Sequence, residues 1–303
     1  MNSPVSRNGR WSATESYSEH DGAVDPLAPT PSCPWWHAQF FRLVQVRPIS
    51  MAEASYTLSG HRSLRAADRE GFADVDRLIG ELATGVTTFD EWRHRMFVDA
   101  GFTGNGADYH DPRNSFLPDV LSRRLGIPIT LALVGQLVAE RAGLVSWGIG
   151  LPGHFLLGVA PAGSSNGVWS DDGARIVDPF GGGRTMTIDD IAQLFASMFG
   201  DRQKFHTSML EKTDDTNMLI RMLANLKANY ARSNDLDGLT AVVRLRTCLP
   251  GWTLDEGREL VRLHAVSGSL DEAVSVLGEL DIRFPEARDI LATERVRLAV
   301  SLN

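Results

Sequence analysis

Cysteine is scarce in this chain. There are two in 303 residues, Cys33 and Cys248, far apart and in unlike surroundings. A disulfide framework or a cysteine-built metal site is therefore not expected. Basic residues are too few to outweigh the acids: 30 Lys and Arg against 38 Asp and Glu give a net charge of -8. That excludes nucleic acid as the main partner, because phosphate binding needs a basic footprint. No apolar run reaches the roughly 20 residues of a membrane span. The longest, Ile127 to Val138, is broken by Gly135 and Gln136 and reads as a core helix. The N-terminus lacks the basic-then-apolar pattern of a secretory signal. The eight His are scattered with no H-E-x-x-H spacing, so no metal is expected, and no residue pattern calls for a cofactor. These absences describe a cytoplasmic protein, with no membrane and no nucleic-acid partner.

Hydrophobic residues make up 43% of the chain, enough for a real core. Residues 1–34 are rich in Ser, Pro, Asp, Gly and Ala and are expected to be a disordered tail. From 35 to about 100 the pattern is helical. An aromatic cluster runs from Trp35 to Val44, Ser50 to Glu53 reads as a capping box, a helix spans Phe72 to Leu82, and Thr88 to Glu91 is a second capping box. Gly101 to Asn114 is a long polar loop that could line a site, with Tyr109, Asp111, Arg113 and Asn114 as candidate binding residues. Ser115 should cap the next helix.

The organising stretch is Gly126 to Asp178. Pro128 suits a first helical turn, and the helix it opens, to about Ala142, is apolar nearly all round, as a buried helix is. Gly143 ends it. Two apolar strand candidates follow, one carrying His154 and one carrying Asp178. A helix start, a strand His and a strand Asp in that order form the layout of a transglutaminase or papain-type triad. Gly148-Ile149-Gly150-Leu151-Pro152-Gly153 matches G-x-G-x-x-G, but a strand rather than a helix follows it, so it is not a dinucleotide fingerprint. Thr187 starts a further helix.

Residues 212–303 read as a separate helical unit. Asn234-Asp235-Leu236-Asp237 is echoed 34 residues on by Gly268-Ser269-Leu270-Asp271, the period of a tetratricopeptide helix pair. Helices are expected near 216–232, 236–248, 253–267, 270–283 and 286–301. Leu236, Leu239, Val243 and their echoes Leu270, Ala273 and Leu277 should share a buried face. Two repeats fall below the usual minimum, so the tail should lean on the preceding domain.

Four motifs in order resemble the bacterial SirB-type proteins: Asp111-Pro112-Arg113-Asn114-Ser115, Arg123-Arg124-Leu125-Gly126-Ile127-Pro128-Ile129-Thr130, Gly150 to Phe155, and Asp178 to Gly182. That family pairs a transglutaminase-like domain with tetratricopeptide repeats. The resemblance implies an α+β fold: a papain-like core, with a central helix on an antiparallel sheet over 35–205, then an all-α tail. In active transglutaminase-like enzymes a Cys opens the central helix, where helix N–H groups lower its pKa. A strand His and an Asp complete the triad. By family spacing from Gly143 through Ala132, Pro128 takes the place of that Cys. His154 and Asp178 match the His and Asp. Thr130 has a hydroxyl but sits about 200° around the helix. The expectation is a pseudoenzyme that binds a protein or peptide through cleft and tail. The alternative is a hydrolase or acyl transferase using His154 and Asp178 with Thr130 or water. Either residue alone is better read as a core histidine or a turn former; as a pair in family order the two read as a site remnant.

Overall fold

The computed structural model describes residues 26–29, 33–62, 69–164, 173–200 and 204–301. Most of the expected disordered tail lies outside them. Pro26–Pro29 does not: Leu27 is buried and its N–H donates to the Thr247 carbonyl at 2.9 Å. That part of the tail is packed.

The helical N-terminal part comprises α1 (Trp35–Gln45), α2 (Met51–Leu58), α3 (Arg69–Ala83) and α4 (Phe89–His94). Thr88 and Glu91 form the expected capping box, whereas Ser50 sits at the N-cap of α2 without a side-chain bond. β1 (Thr103–Gly104) pairs in parallel with β2 (Leu125–Gly126), and α5 (Leu117–Arg123) lies between them in sequence. Ser115 does not cap α5. It falls in a 3-10 turn, its hydroxyl is buried without a partner, and Phe116 takes the N-cap place with Pro118 in the first turn.

The central helix α6 (Pro128–Arg141) is buried on nearly every side. Gly143, at φ +80°, turns the chain out of it into the sheet. The sheet is β3 (Val145–Ile149), β4 (Leu156–Ala160), β5 (Arg175–Asp178) and β6 (Arg184–Met186), antiparallel and in sequence order. α6 packs across β3 and β4. α7 (Ile188–Phe199) opens with a Thr187/Asp190 capping box and covers the outer face with Ile191 and Phe195.

The C-terminal region is helical: α8 (Asp215–Ser233), α9 (Leu236–Arg246), α10 (Leu254–Val266), α11 (Leu270–Arg283) and α12 (Arg288–Ser301). The 34-residue echo is a backbone echo as well. Asn234 and Gly268 both adopt positive φ. Asp235 N–H bonds the Tyr230 carbonyl at 3.0 Å, and Ser269 N–H bonds the His264 carbonyl at 2.8 Å. Val243, Ala273 and Leu277 are buried, but Leu236 is 44% exposed. Leu239 and Leu270 are half-buried, so the six positions do not share one uniformly buried face. The core itself crosses the 205–212 boundary: Met218, Leu219, Met222, Leu223 and Leu226 of α8 belong to the cluster that surrounds α6.

Candidate functional site

Asp178 is the last residue of β5, where the chain turns into β6. Its Oδ1 accepts the N–H groups of Phe180 at 3.0 Å and Gly181 at 3.1 Å, the bonding of an Asx-type turn. A Cβ on Gly181 would stand 2.8 Å from Asp178 Oδ2, so only glycine leaves the carboxylate room. The same Oδ1 lies 3.0 Å from His154 Nε2, and each side chain is 11% exposed. Burial alone pushes the Asp178 carboxyl up. The His154 hydrogen bond and charge, with the two backbone N–H groups, outweigh it and hold the carboxyl below the usual carboxylate range. An ionised Asp178 accepts the Nε2 proton, and whenever the ring carries only that proton Nδ1 is its acceptor nitrogen. Nδ1 has no hydrogen-bond partner among the described residues.

His154 is not on a strand, as its surroundings suggest, but in the turn before β4. Its backbone is held from a distance. Arg221 of α8 donates from Nη2 to the carbonyls of Leu151 at 2.7 Å and His154 at 2.9 Å, and its guanidinium lies over the Phe155 ring at 5.1 Å. The glycines of the preceding run make this possible. A Cβ on Gly150 would overlap Arg221, and one on Gly148 would press into Phe155.

Backbone hydrogen bonds bring the start of α6 to the same corner. Gly104 N–H bonds the Phe180 carbonyl at 3.0 Å, Asn105 N–H the Gly126 carbonyl at 3.0 Å, and Ile127 N–H the Asn114 carbonyl at 3.3 Å. Phe180 thus connects Asp178 to β1, and β1 to the residues that lead into Pro128. Pro128 is the first residue of α6. Thr130 is fully buried, and its Oγ1 makes no hydrogen bond, to His154 or to any other described group.

The polar loop is organised inward. Asn114 is buried, accepts from Asn105 Nδ2 at 3.0 Å and donates to the Asp108 carbonyl at 2.7 Å. Asp111 is buried and pairs with Arg113 at 2.8 Å and Arg123 at 3.1 Å. Of the four loop candidates, Tyr109 is the one that faces the corner. It is 39% exposed, and its ring meets Phe180 edge-on at 5.9 Å, while Phe180 meets His154 at 6.4 Å. Arg221 and Phe180 carried no sequence signal as site residues, since their roles arise only from tertiary contacts.

The neighbourhood of Cys248 also differs from expectation. Cys248 is no helix-start thiol, yet its Sγ lies 3.1 Å from His37 Nε2. Both are buried. Desolvation drives the thiol far above its ordinary pKa and pushes His37 down to about 3, so the two face each other as neutral groups rather than as an ion pair. Among the described residues no group of three or more His, Cys, Asp or Glu is placed to hold a metal, and no helix is long and apolar enough to cross a membrane.

The sequence profile of the transglutaminase-like superfamily matches residues 70–224, from α3 into α8. The chain belongs to that superfamily. It is similar to a UPF0162 protein of Xylella fastidiosa strain 9a5c, 31% identical over 189 residues that cover 60% of this chain and 64% of that one. A UPF0162 protein of Vibrio cholerae is 27% identical over 144 residues, 48% of this chain and 50% of its own length. F-box only protein 21 of Mus musculus is 28% identical over 188 residues, 61% of this chain and 28% of its own. The chain thus spans less than two thirds of the length of these relatives. No solved structure matches.

Proposed function

We propose that this protein is a non-catalytic member of the transglutaminase-like superfamily, a bacterial cytoplasmic adaptor of SirB type. It keeps a His–Asp pair and works by binding a protein or peptide. Its helical region serves as a tetratricopeptide-like binding surface. The observation that carries the reading is Pro128. A proline ring opens the central helix, the place where active relatives of this fold need a thiol, and it offers no nucleophile. Neither cysteine substitutes for one: Cys33 precedes α1, and Cys248 is a buried, protonated thiol. The position of α8, which packs on α6 and holds the His154 turn, makes the helical region part of the same body as the corner.

A second reading is favoured by the bare Nδ1 of His154 beside an ionised Asp178. That arrangement suits a general base acting on water, and so a hydrolase or acyl transferase. Product formation separates the two. The purified full chain is incubated with a mixed peptide library and amine donors, and products are read by mass spectrometry beside His154→Ala. Binding without products that depend on His154 is expected. A cleaved or cross-linked peptide that disappears with His154→Ala would overturn the non-catalytic reading.

A further inference from the structure

One segment of the chain is held in the way an extended peptide is held. Pro26–Pro29 has no regular secondary structure, yet Leu27 is 7% exposed and joins the apolar cluster of Trp252, Val261, Ala273, Leu277 and Leu280. Main-chain hydrogen bonds fix it on both sides. Leu27 N–H donates to the Thr247 carbonyl at the end of α9, and Arg283 Nη2 at the end of α11 donates to the Pro26 carbonyl at 3.2 Å. An apolar anchor flanked by main-chain bonds is the usual grammar of peptide recognition. Pro26 and Pro29 fix two of the four φ angles of the segment, which lowers the entropy lost on docking.

The groove is larger than its occupant. Beside Leu27 lies a cavity of about 30 Å³ whose lining includes Cys33, His37, Arg244 and Glu272. A second space of about 280 Å³ is lined by Trp36, Asp237, Thr240, Arg244, His264 and Ser269. Arg244 borders both. The larger space approaches the size of small ligand pockets. Its walls mix hydroxyls, one carboxylate and one guanidinium with the Trp36 ring, which suits a peptide main chain better than a single strong charge. The rest of the cluster, Ala287, Leu291 and Leu298 included, comes from the helices themselves, so the segment adds to a core that exists without it.

We propose that the groove between α9, α10 and α11 is a docking site for an extended, proline-flanked leucine segment of a partner protein, and that Pro26–Pro29 fills it in the free chain as a tethered competitor. The inference rests on the binding reading above for the existence of a partner, and it names the surface and the peptide chemistry.

Its test needs neither the partner nor any chemistry at His154. A fluorescein-labelled peptide of residues 23–31 is titrated into the full chain and into Leu27→Asp, which ejects the tethered copy. A short tether gives an effective concentration of roughly millimolar, so the added peptide should bind Leu27→Asp at least about tenfold tighter than it binds the unaltered chain. The same peptide carrying Asp for Leu should not bind. In the unaltered chain, excess peptide should speed hydrogen exchange of the Leu27 amide, which the Thr247 carbonyl otherwise protects. If Leu27→Asp loses its helical circular dichroism, that exchange measurement decides alone. Equal affinity for both chains, or a Leu27 amide unmoved by saturating peptide, overturns the proposal. A failure here leaves the product assay, and with it the broader binding reading, untouched.

Discussion

Replacing Arg221 with Met tests whether α8 builds the His154 turn. The change keeps an unbranched apolar stem and deletes the guanidinium. Two charge-assisted bonds are lost, to the Leu151 and His154 carbonyls, together with the contact over Phe155. Hydrogen bonds to charged groups contribute about 1.5–3 kcal/mol each, and a cation–π contact about 0.5–1 kcal/mol. Against this stands the desolvation of the guanidinium, which pulls its pKa below the ordinary arginine value. A net loss of about 3 kcal/mol is the reasonable expectation. With an unfolding entropy of about 2.1 cal/mol/K per residue, that is a fall in Tm of about 5 °C for a chain of this length. Urea unfolding gives the stability, and hydrogen exchange over 150–155 gives the local effect, which should exceed that elsewhere in the sheet. Arg221→Lys should recover only part, since the ammonium is shorter and cannot stack on Phe155. Gly150→Ala crowds the same guanidinium, so the double variant should lose less than the two single losses added. An Arg221→Met loss below about 0.5 kcal/mol, the range of an ordinary surface change, with unchanged exchange at the turn, would refute the role assigned to it.

Asp178→Asn should cost about 2 kcal/mol at pH 7, as for a buried charged acceptor. Asp178's folded pKa is depressed, so its contribution is complete above the unfolded value of about 3.9 and is lost as pH falls through the lower folded value; a stability gap that does not begin to narrow once pH drops below about 3.9 contradicts this. His37 and His61 are buried neutral, with burial pushing them down to about 3 and about 4. Stability should therefore fall as pH drops from 6.5 toward 4, by up to about 1.4 kcal/mol per pH unit for each, and His37→Gln should flatten that slope. Replacing Cys248 by Ala should leave binding unchanged. In the native chain Cys248 should resist a disulfide reagent until the protein unfolds, because it is buried and protonated.

Local rules carried the sequence reading wherever the chain obeys them. The central helix is legible in its first and last turns: Pro128 opens it, and Gly143, at positive φ, leaves it. The 34-residue echo is legible because a helix end needs a left-handed residue, which Asn234 and Gly268 both supply. The capping boxes at Thr88 and Thr187 were readable for the same reason, while Ser50 and Ser115 show that the residue types alone do not form the bonds. What the sequence hid is what distance creates. Arg221 reaches the His154 turn across 67 residues, and Cys248 meets His37 across 211. Leu27 lies in a stretch whose composition points to disorder, yet one leucine among prolines found a pocket that composition cannot reveal. Leu236 fits the apolar period but not the geometry, because the period does not say where a neighbouring helix begins.

The two members of the His154–Asp178 pair do not bear equally on function. Asp178 has structural employment whatever the chemistry. It holds the turn through Phe180 and Gly181, and its own carbonyl accepts Gly183 N–H at 3.0 Å, so the β5–β6 corner needs it even in a protein with no reaction to perform. Pro128 likewise suits a first helical turn and costs the fold nothing. His154 is different. Its backbone is fixed by Arg221, and its side chain gives the fold a single bond, to Asp178, while Nδ1 has no hydrogen-bond partner among the described residues. A purely structural role would be served there by any donor. His154→Gln keeps a donor for Asp178 but removes the basic ring nitrogen. Full partner binding and full stability in His154→Gln would show that the ring serves only to pair Asp178. Lost binding with unchanged stability would place Nδ1 itself in contact with the ligand, and that is the outcome expected of a ring nitrogen that gives the fold no bond.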